Sequence, residues 1–334
     1  MTAVFLGYVL IFIIYKIPFK WLVHLNLPLF GLSLFLLMLV FIPGMYSKVG
    51  GALRWLNIGG IRIQPGEIAK VSMVFFLSKN LSRKGNSIHK FKEGLMPNFI
   101  VLGLFSALLL RQPDFGTTAL LTLITFLMLY AAGISRKFLI ITCSVGLISL
   151  AFAVITAPYR LKRVLTFLDP WANVQKEGFQ IVQSFLAFRN GGFLGVGLGY
   201  SKQKLFFLPE AHTDFILSVI AEESGFLGTS FVCLSFLIMI ICGGYIAFNS
   251  KERHKQFLAF GLTCLIGIQS LFNIAVVMGM LPTKGITLPF LSSGLSSLLV
   301  FFFIVGVLAR IGHETQRAKT HEHSNQQTSI ITYS

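Results

Sequence analysis

Long apolar runs, each ended by charge or by Gly and Pro, constrain this chain more than any other feature. They lie near residues 2–15, 27–45, 66–80, 94–111, 115–134, 138–157, 214–248, 257–280 and 286–309. About 20 mostly apolar residues cross a bilayer, and backbone in hydrocarbon must satisfy its own hydrogen bonds, which a helix does within one segment. The pattern predicts an all-α polytopic membrane protein with about nine transmembrane helices. Only 12% of residues are charged, about half the share of a soluble domain, which excludes a cytoplasmic globular enzyme. The run at 214–248 exceeds one span and contains Glu222, Glu223 and Gly225, so an interrupted segment is expected at its start.

Basic residues in the connections set the orientation. One alternate set holds Lys16 and Lys20; Lys79, Arg83, Lys84, Lys90 and Lys92; Arg136 and Lys137; Lys251, Arg253 and Lys255; then Arg310, Arg317 and Lys319. The opposite short loops hold Lys48, Arg54, Arg62, Arg111 and Lys284. The first set is expected on the cytoplasmic side, with the N-terminus outside, the C-terminus inside, and the long connection 158–213 outside. The first run lacks a basic n-region and a small-residue cleavage site, so it reads as a short helix rather than a secretory signal. Residues 1–312 form one membrane domain, and the polar segment 313–334 is expected to be a disordered cytoplasmic tail. His313, His321 and His323 there read as solvated rather than metal-binding. The four cysteines, Cys143, Cys233, Cys242 and Cys264, lie in apolar runs without CxxC spacing and read as buried small hydrophobes. The net charge of +16 comes in short clusters between apolar runs, not along one polar face. It therefore points to lipid head groups or an anionic lipid-linked substrate and not to nucleic acid.

Ionisable residues inside or at the ends of spans are costly and therefore informative. Glu67 and Lys70 share a helix face in RIQPGEIAKVSMVFF, where an ion pair capping the helix is the plainer reading. The device recurs at Arg111, Gln112, Pro113 and Asp114. Arg62 and Arg111 would then flank one outer region where a guanidinium can hold a phosphate, unless both only snorkel to the interface. Gly195-Val196-Gly197-Leu198-Gly199 is not a dinucleotide fingerprint, since no strand precedes it and the spacing differs. Its backbone N–H groups, with Lys202 and Lys204 beside them, are a candidate phosphate cradle. Asp214 follows His212 and Thr213 and precedes an apolar helix, so it reads equally as an N-cap or as a partly desolvated general base. Near the last span, MGMLPTKGITLPFLSSGLSS is a structured turn carrying Lys284, Ser292 and Ser293.

Four segments in this order, GALRWLNIGGIRIQPGEIAK, QPDFGTTALL, GGFLGVGLGYSKQKLFFLPEAHTDFILSVIAEESGFLG and LPTKGITLPFLSSG, resemble the SEDS family of bacterial peptidoglycan glycosyltransferases over roughly residues 1–312. Pro282-Thr283-Lys284-Gly285 is more similar to the cell-division branch than to the rod-elongation branch. The resemblance implies polymerisation of lipid II, an undecaprenyl-pyrophosphate-linked disaccharide pentapeptide, at the outer face of the bacterial cytoplasmic (inner) membrane, at the septum. It implies a class B penicillin-binding protein as the transpeptidase partner, with other divisome membrane proteins. It also implies Asp214, in His212-Thr213-Asp214-Phe215, as the base that deprotonates the acceptor 4-hydroxyl. Expected substrate-binding residues are His212, Thr213, Arg62, Glu67, Lys70, Arg111, Gln112, Asp114, Lys202, Lys204, Lys284 and Ser292. No cofactor or metal ligand cluster is required by the sequence, although a divalent cation would suit a pyrophosphate.

The chain departs from the family pattern in three places. Nine spans stand where the family has ten, so the first is expected to be absent. The family's Ser-Tyr-Gly-Gly is Ser292-Ser293-Gly294-Leu295, and the Ser of its Gln-Pro-Ser-Glu is Gly66. Two other function classes stay open, a lipid II flippase and a non-catalytic division scaffold. Ionisable residues concentrated at outer span ends favour surface chemistry over translocation.

Overall fold

The computed structural model describes residues 2–49, 52–85, 88, 90–155, 165–174, 178–205, 208–283 and 285–332. Its helices are α1 (Thr2–Lys16), α2 (Phe19–His24), α3 (Asn26–Leu39), α4 (Pro65–Lys84), α5 (Met96–Arg111), α6 (Phe115–Ala131), α7 (Arg136–Ile155), α8 (Phe179–Gly191), α9 (Ile216–Asn249), α10 (Arg253–Val277) and α11 (Leu295–Thr332). All except α2 and α8 stand on the apolar runs of the sequence. Among the described residues, Phe91–Arg111, Ile216–Asn249, Arg253–Val277 and Leu295–Thr320 are long and apolar enough to cross a membrane, and Thr2–Lys16, Asn26–Leu39 and Phe115–Ala131 are apolar but shorter.

Helix α4 is the hub, packed against α3, α5, α6, α10 and α11. Pro65 opens it, where a missing N–H costs nothing. Glu67, Lys70, Ser72 and Ser78 are all buried along it. Apolar surroundings tolerate such groups only when they are partnered, so α4 must sit where neighbouring helices supply the partners. Helix α9 breaks at Gly225, whose backbone (φ 63, ψ −157) is not helical, as the polar interruption of that run led one to expect.

Four features differ from the sequence reading. Residues 46–63 form a three-stranded antiparallel sheet, β1 (Tyr46–Val49), β2 (Ala52–Ile58) and β3 (Ile61–Ile63), in the order β1-β2-β3. The two-residue turn Gly59-Gly60, with φ 59 and 84, pairs Ile58 with Ile61 and Leu56 with Ile63. Left-handed backbone at both turn positions matches the twist of a hairpin, and glycine adopts it without cost. The 158–213 connection contains α8 packed on α9, because α8 has a buried face (Ile181, Val182, Ser184, Ala187) to cover. Arg160, Lys162, Arg163 and Lys176 of that connection lie outside the described residues.

Helix α11 runs on to Thr332, through the segment read as a disordered tail. No Gly or Pro follows Gly312, and Glu314, Thr315 and Lys319 are anchored to other helices. Cys242 is exposed, and Cys233 and Cys264 are half-buried. The outer face of a membrane helix is itself apolar, so an apolar run there is no sign of burial. The side chain of Cys143 is outside the described set.

Candidate active site

Asp214 lies two residues before α9, at the end of a tight turn. Glu210 adopts a left-handed backbone (φ 57), and its carbonyl accepts from the N–H groups of Thr213 at 3.1 Å and Phe215 at 3.2 Å. The turn is fastened from two sides. Ser292 Oγ donates to the Thr213 carbonyl at 2.6 Å, and the N–H and Oγ of Ser293 both donate to the His212 carbonyl at 2.8 Å. From α10, Asn273 Nδ2 donates to the carbonyls of Asp214 and Ile286, both at 2.7 Å. The capping alternative for Asp214 is not realised: the cap position of α9 is Phe215, with no side-chain cap bond.

The Asp214 carboxylate faces Gly285. A methyl group on Gly285 would stand 3.0 Å from Asp214 Oδ2 and 3.5 Å from Arg54 Nη1, so this glycine leaves room between the acid and the guanidinium. Arg54 Nη2 donates to the Pro113 carbonyl at 2.6 Å, and its buried Nε meets no acceptor among the described residues. Arg54 is the extra residue of a β-bulge on β2, between Leu53, which faces Lys48, and Trp55, which faces Ser47, and such a bulge re-aims a side chain out of the regular alternation. Asp214 titrates at about 7 instead of near 3.8. Burial is the largest cause; Glu210 adds to the rise, Arg54 opposes it and Asp114 contributes a further push upward.

Beneath Asp214 runs a buried polar chain. Lys70 Nζ is 2.8 Å from Glu67 Oε1, with both side chains almost wholly buried, and also donates to Gln269 Oε1. Gln269 Nε2 passes the chain to Thr287, reaching its carbonyl at 3.0 Å and its Oγ1 at 3.1 Å, and Thr287 Oγ1 meets Ser297 Oγ at 2.9 Å. Lys70 also lies over the Phe301 ring, 5.8 Å from its centroid. Beyond the Glu67–Lys70 pair within α4, each link passes to another element: α10, the 286–294 segment and the start of α11. The segment facing Asp214 is therefore held by side chains from the bundle core.

The family model described as cell cycle protein, covering FtsW, RodA and SpoVE, matches residues 1–317. The chain belongs to the FtsW/RodA/SpoVE family. Its helical, multi-pass membrane architecture is that of this family. A relative from Geobacter sulfurreducens, named probable peptidoglycan glycosyltransferase FtsW, is 42% identical over 306 residues, 92% of this chain and 82% of its own. A Legionella pneumophila protein of the same name is 38% identical over 315 residues, 93% of this chain and 80% of its own. Among solved structures, a chain described under "Structural coordination of polymerization and crosslinking by a peptidoglycan synthase complex" superposes with a TM-score of 0.76 at 28% identity, covering 94% of this chain and 88% of its own. The rod shape determining protein RodA of Thermus thermophilus superposes with a TM-score of 0.69 at 25% identity, covering 94% and 86%.

The family motifs converge only in part. Asp214, Thr213, His212 and Ser292 meet at one place, although the Ser292 hydroxyl is spent on the Thr213 carbonyl and Ser293 on that of His212. Glu67 and Lys70 pair as expected and lie in the polar chain. Asp114 caps α6, accepting from Thr117 N at 3.3 Å and Thr117 Oγ1 at 2.7 Å. Gln112 is buried and donates to the Leu37 carbonyl at 2.8 Å. The side chain of Arg62 is exposed on β3. Arg111 is exposed and lies over the Phe41 ring at 5.9 Å. Lys202 is exposed, Lys204 is engaged at 2.6 Å by Glu223, and Lys284 lies outside the described residues.

The glycine run does not present a free cradle. The N–H groups of Gly195, Val196 and Gly197 donate to the carbonyls of Gly191, Glu222 and Glu223, so two of them cover backbone groups that the break at Gly225 leaves unpaired within α9. Sequence reasoning missed Arg54 as a site residue, together with Gln269 and Asn273. The last two are polar residues four apart in the apolar α10, on one helix face, and that spacing was the available signal. Among the described residues no group of three His, Cys, Asp or Glu is placed to hold a metal ion.

Proposed function

We propose that this chain is a peptidoglycan glycosyltransferase that polymerises lipid II at the outer face of the bacterial inner membrane, with Asp214 as general base. The 4-hydroxyl of the acceptor sugar gives its proton to Asp214 while its oxygen attacks the donor's anomeric carbon. The bond from that carbon to the pyrophosphate oxygen breaks, and polyprenyl pyrophosphate leaves with the electron pair. The single observation that carries this reading is the carboxylate of Asp214 facing Gly285 beside Arg54, brought by burial to a pKa of about 7. A base works best when its pKa lies near the working pH. Developing negative charge on the leaving group calls for fixed positive charge, and Arg54, Arg62, Lys202 and Lys284 are the groups we assign to it. Glu67, Lys70, Asp114, Gln112 and Ser292 position the frame around the base, and a divalent cation would add neutralising charge.

The relatives' names support the activity, and the solved synthase complex supports a class B penicillin-binding protein as partner. The resemblance to the cell-division branch points to the septum. In the assay that decides, purified protein with its transpeptidase partner converts lipid II to polymer resolved on a gel. Asp214→Asn is expected to lose at least about 100-fold in rate. Full polymerisation by that variant would overturn the assignment of the base, and lipid II translocation without polymer would favour transport.

A further inference from the structure

We propose that the end of the bundle where α1, α9 and α11 meet holds the phosphate head group of an anionic phospholipid. A pocket of about 330 Å³ opens there, with Tyr15, Tyr245, Asn249, His313, Gln316 and Lys319 in its wall. That volume is at the lower end of small-molecule sites, which span about 300–1,000 Å³. Lys319 is aimed by two contacts: its ammonium donates to Asn249 Oδ1 and lies 5.8 Å from the centroid of the Tyr245 ring. Neither partner carries charge, and Glu314, the acid nearest to it in α11 whose side chain is described, is engaged by Lys255 and Arg310. An ammonium has three donors, so this one keeps N–H groups for an anion. Tyr15 and His313 meet edge to face at 5.4 Å and close another part of the wall.

The surroundings select a lipid over a free anion. Ile238, Ile241, Tyr245 and Phe248 are exposed at helical spacing on α9, and they form an apolar track that leads to the pocket. An acyl chain can lie on that track while the head group reaches Lys319. Lys16 ends α1 beside the same pocket, and Arg310 reaches the Tyr15 carbonyl at 3.2 Å. The connections at this end carry the larger share of basic residues, which puts it at the cytoplasmic leaflet, where anionic lipids are enriched and basic pockets between helices take their head groups. The proposal does not depend on the glycosyltransferase reading.

Native mass spectrometry of the full chain, delipidated and then offered phosphatidylglycerol or phosphatidylcholine, tests it. Wild type should retain phosphatidylglycerol preferentially, Lys319→Gln should reduce that retention about fivefold and leave phosphatidylcholine unchanged, and Lys319→Arg should retain it. Should Lys319→Gln fail to fold, Gln316→Glu, which adds a carboxylate to the same wall, must produce the same loss. Equal retention of the two lipids, or retention unaffected by these variants, would overturn the proposal. Displacement of phosphatidylglycerol by millimolar inorganic phosphate alone would also overturn it, by assigning the pocket to a free anion.

Discussion

Asp214→Asn should make the protein more stable at alkaline pH while removing its activity. In the folded chain burial holds the acid at about 7, against about 3.8 when exposed. A carboxyl group whose folded pKa is raised favours folding less and less as pH climbs from the unfolded value to the folded one, because the unfolded chain ionises first. Wild-type stability therefore falls between pH 4 and pH 7 on account of this group and stays low above. At about 1.4 kcal/mol per pH unit the interval is worth a ceiling of about 4 kcal/mol. Asp214 is only half-buried by its accessible surface, so water screens part of this, and about 2 kcal/mol is the working expectation. Asparagine has the same shape and no charge to desolvate. Thermal unfolding in detergent, followed at pH 8 and at pH 4, should show the variant melting a few degrees above wild type at pH 8, with the gap closed at pH 4. Equal melting at pH 8, or a gap that persists at pH 4, would refute the claim that burial raises this acid.

The charges around Asp214 give a signed test on the enzyme. Glu210 raises its pKa and Arg54 lowers it, so the acid limb of the polymerisation–pH profile should move to lower pH in Glu210→Gln and to higher pH in Arg54→Gln. Lys70→Met leaves Glu67 buried without its partner and should cost about 3–5 kcal/mol in melting experiments, largely recovered when Glu67→Met is added. Gly225→Ala forces a Cβ to within 2.4 Å of the Gly195 nitrogen at a φ of 63, and a loss of about 1–3 kcal/mol or more is expected from thermal melts.

The membrane-helix framework was legible because one signal, a long apolar run, suffices to specify a helix in lipid. The break in α9 was legible too, since Glu222, Glu223 and Gly225 interrupt its run. The sheet at 46–63 was hidden between two runs, although Gly59-Gly60 between alternating residues is a hairpin signature. Arg54 counted only as one more outer cation, because nothing local to β2 announces the bulge against β1 at which it sits or the Pro113 carbonyl it reaches. The role of the glycine run was out of reach for a similar reason. The N–H groups of Val196 and Gly197 are spent on carbonyls of a helix more than 20 residues away, a pairing that only the fold creates. Asn273 ties Asp214 to Ile286 through two carbonyls, and no motif encodes a side chain whose partners are backbone atoms of distant segments.

The break at Gly225 also joins two mechanical duties at one short segment. Residues 226–249 form the part of α9 that meets the acyl chains, and a rod of that kind tilts to match the thickness of the bilayer around it. The stub before the break is held by the N–H groups of Val196 and Gly197 on the carbonyls of Glu222 and Glu223, while the carbonyls of Gly192 and Phe193 take the first N–H groups of the rod, Phe226 and Leu227. The short segment 192–197 thus clamps the break from both sides, so a tilt of the rod bears on the same residues that hold the stub leading to Asp214.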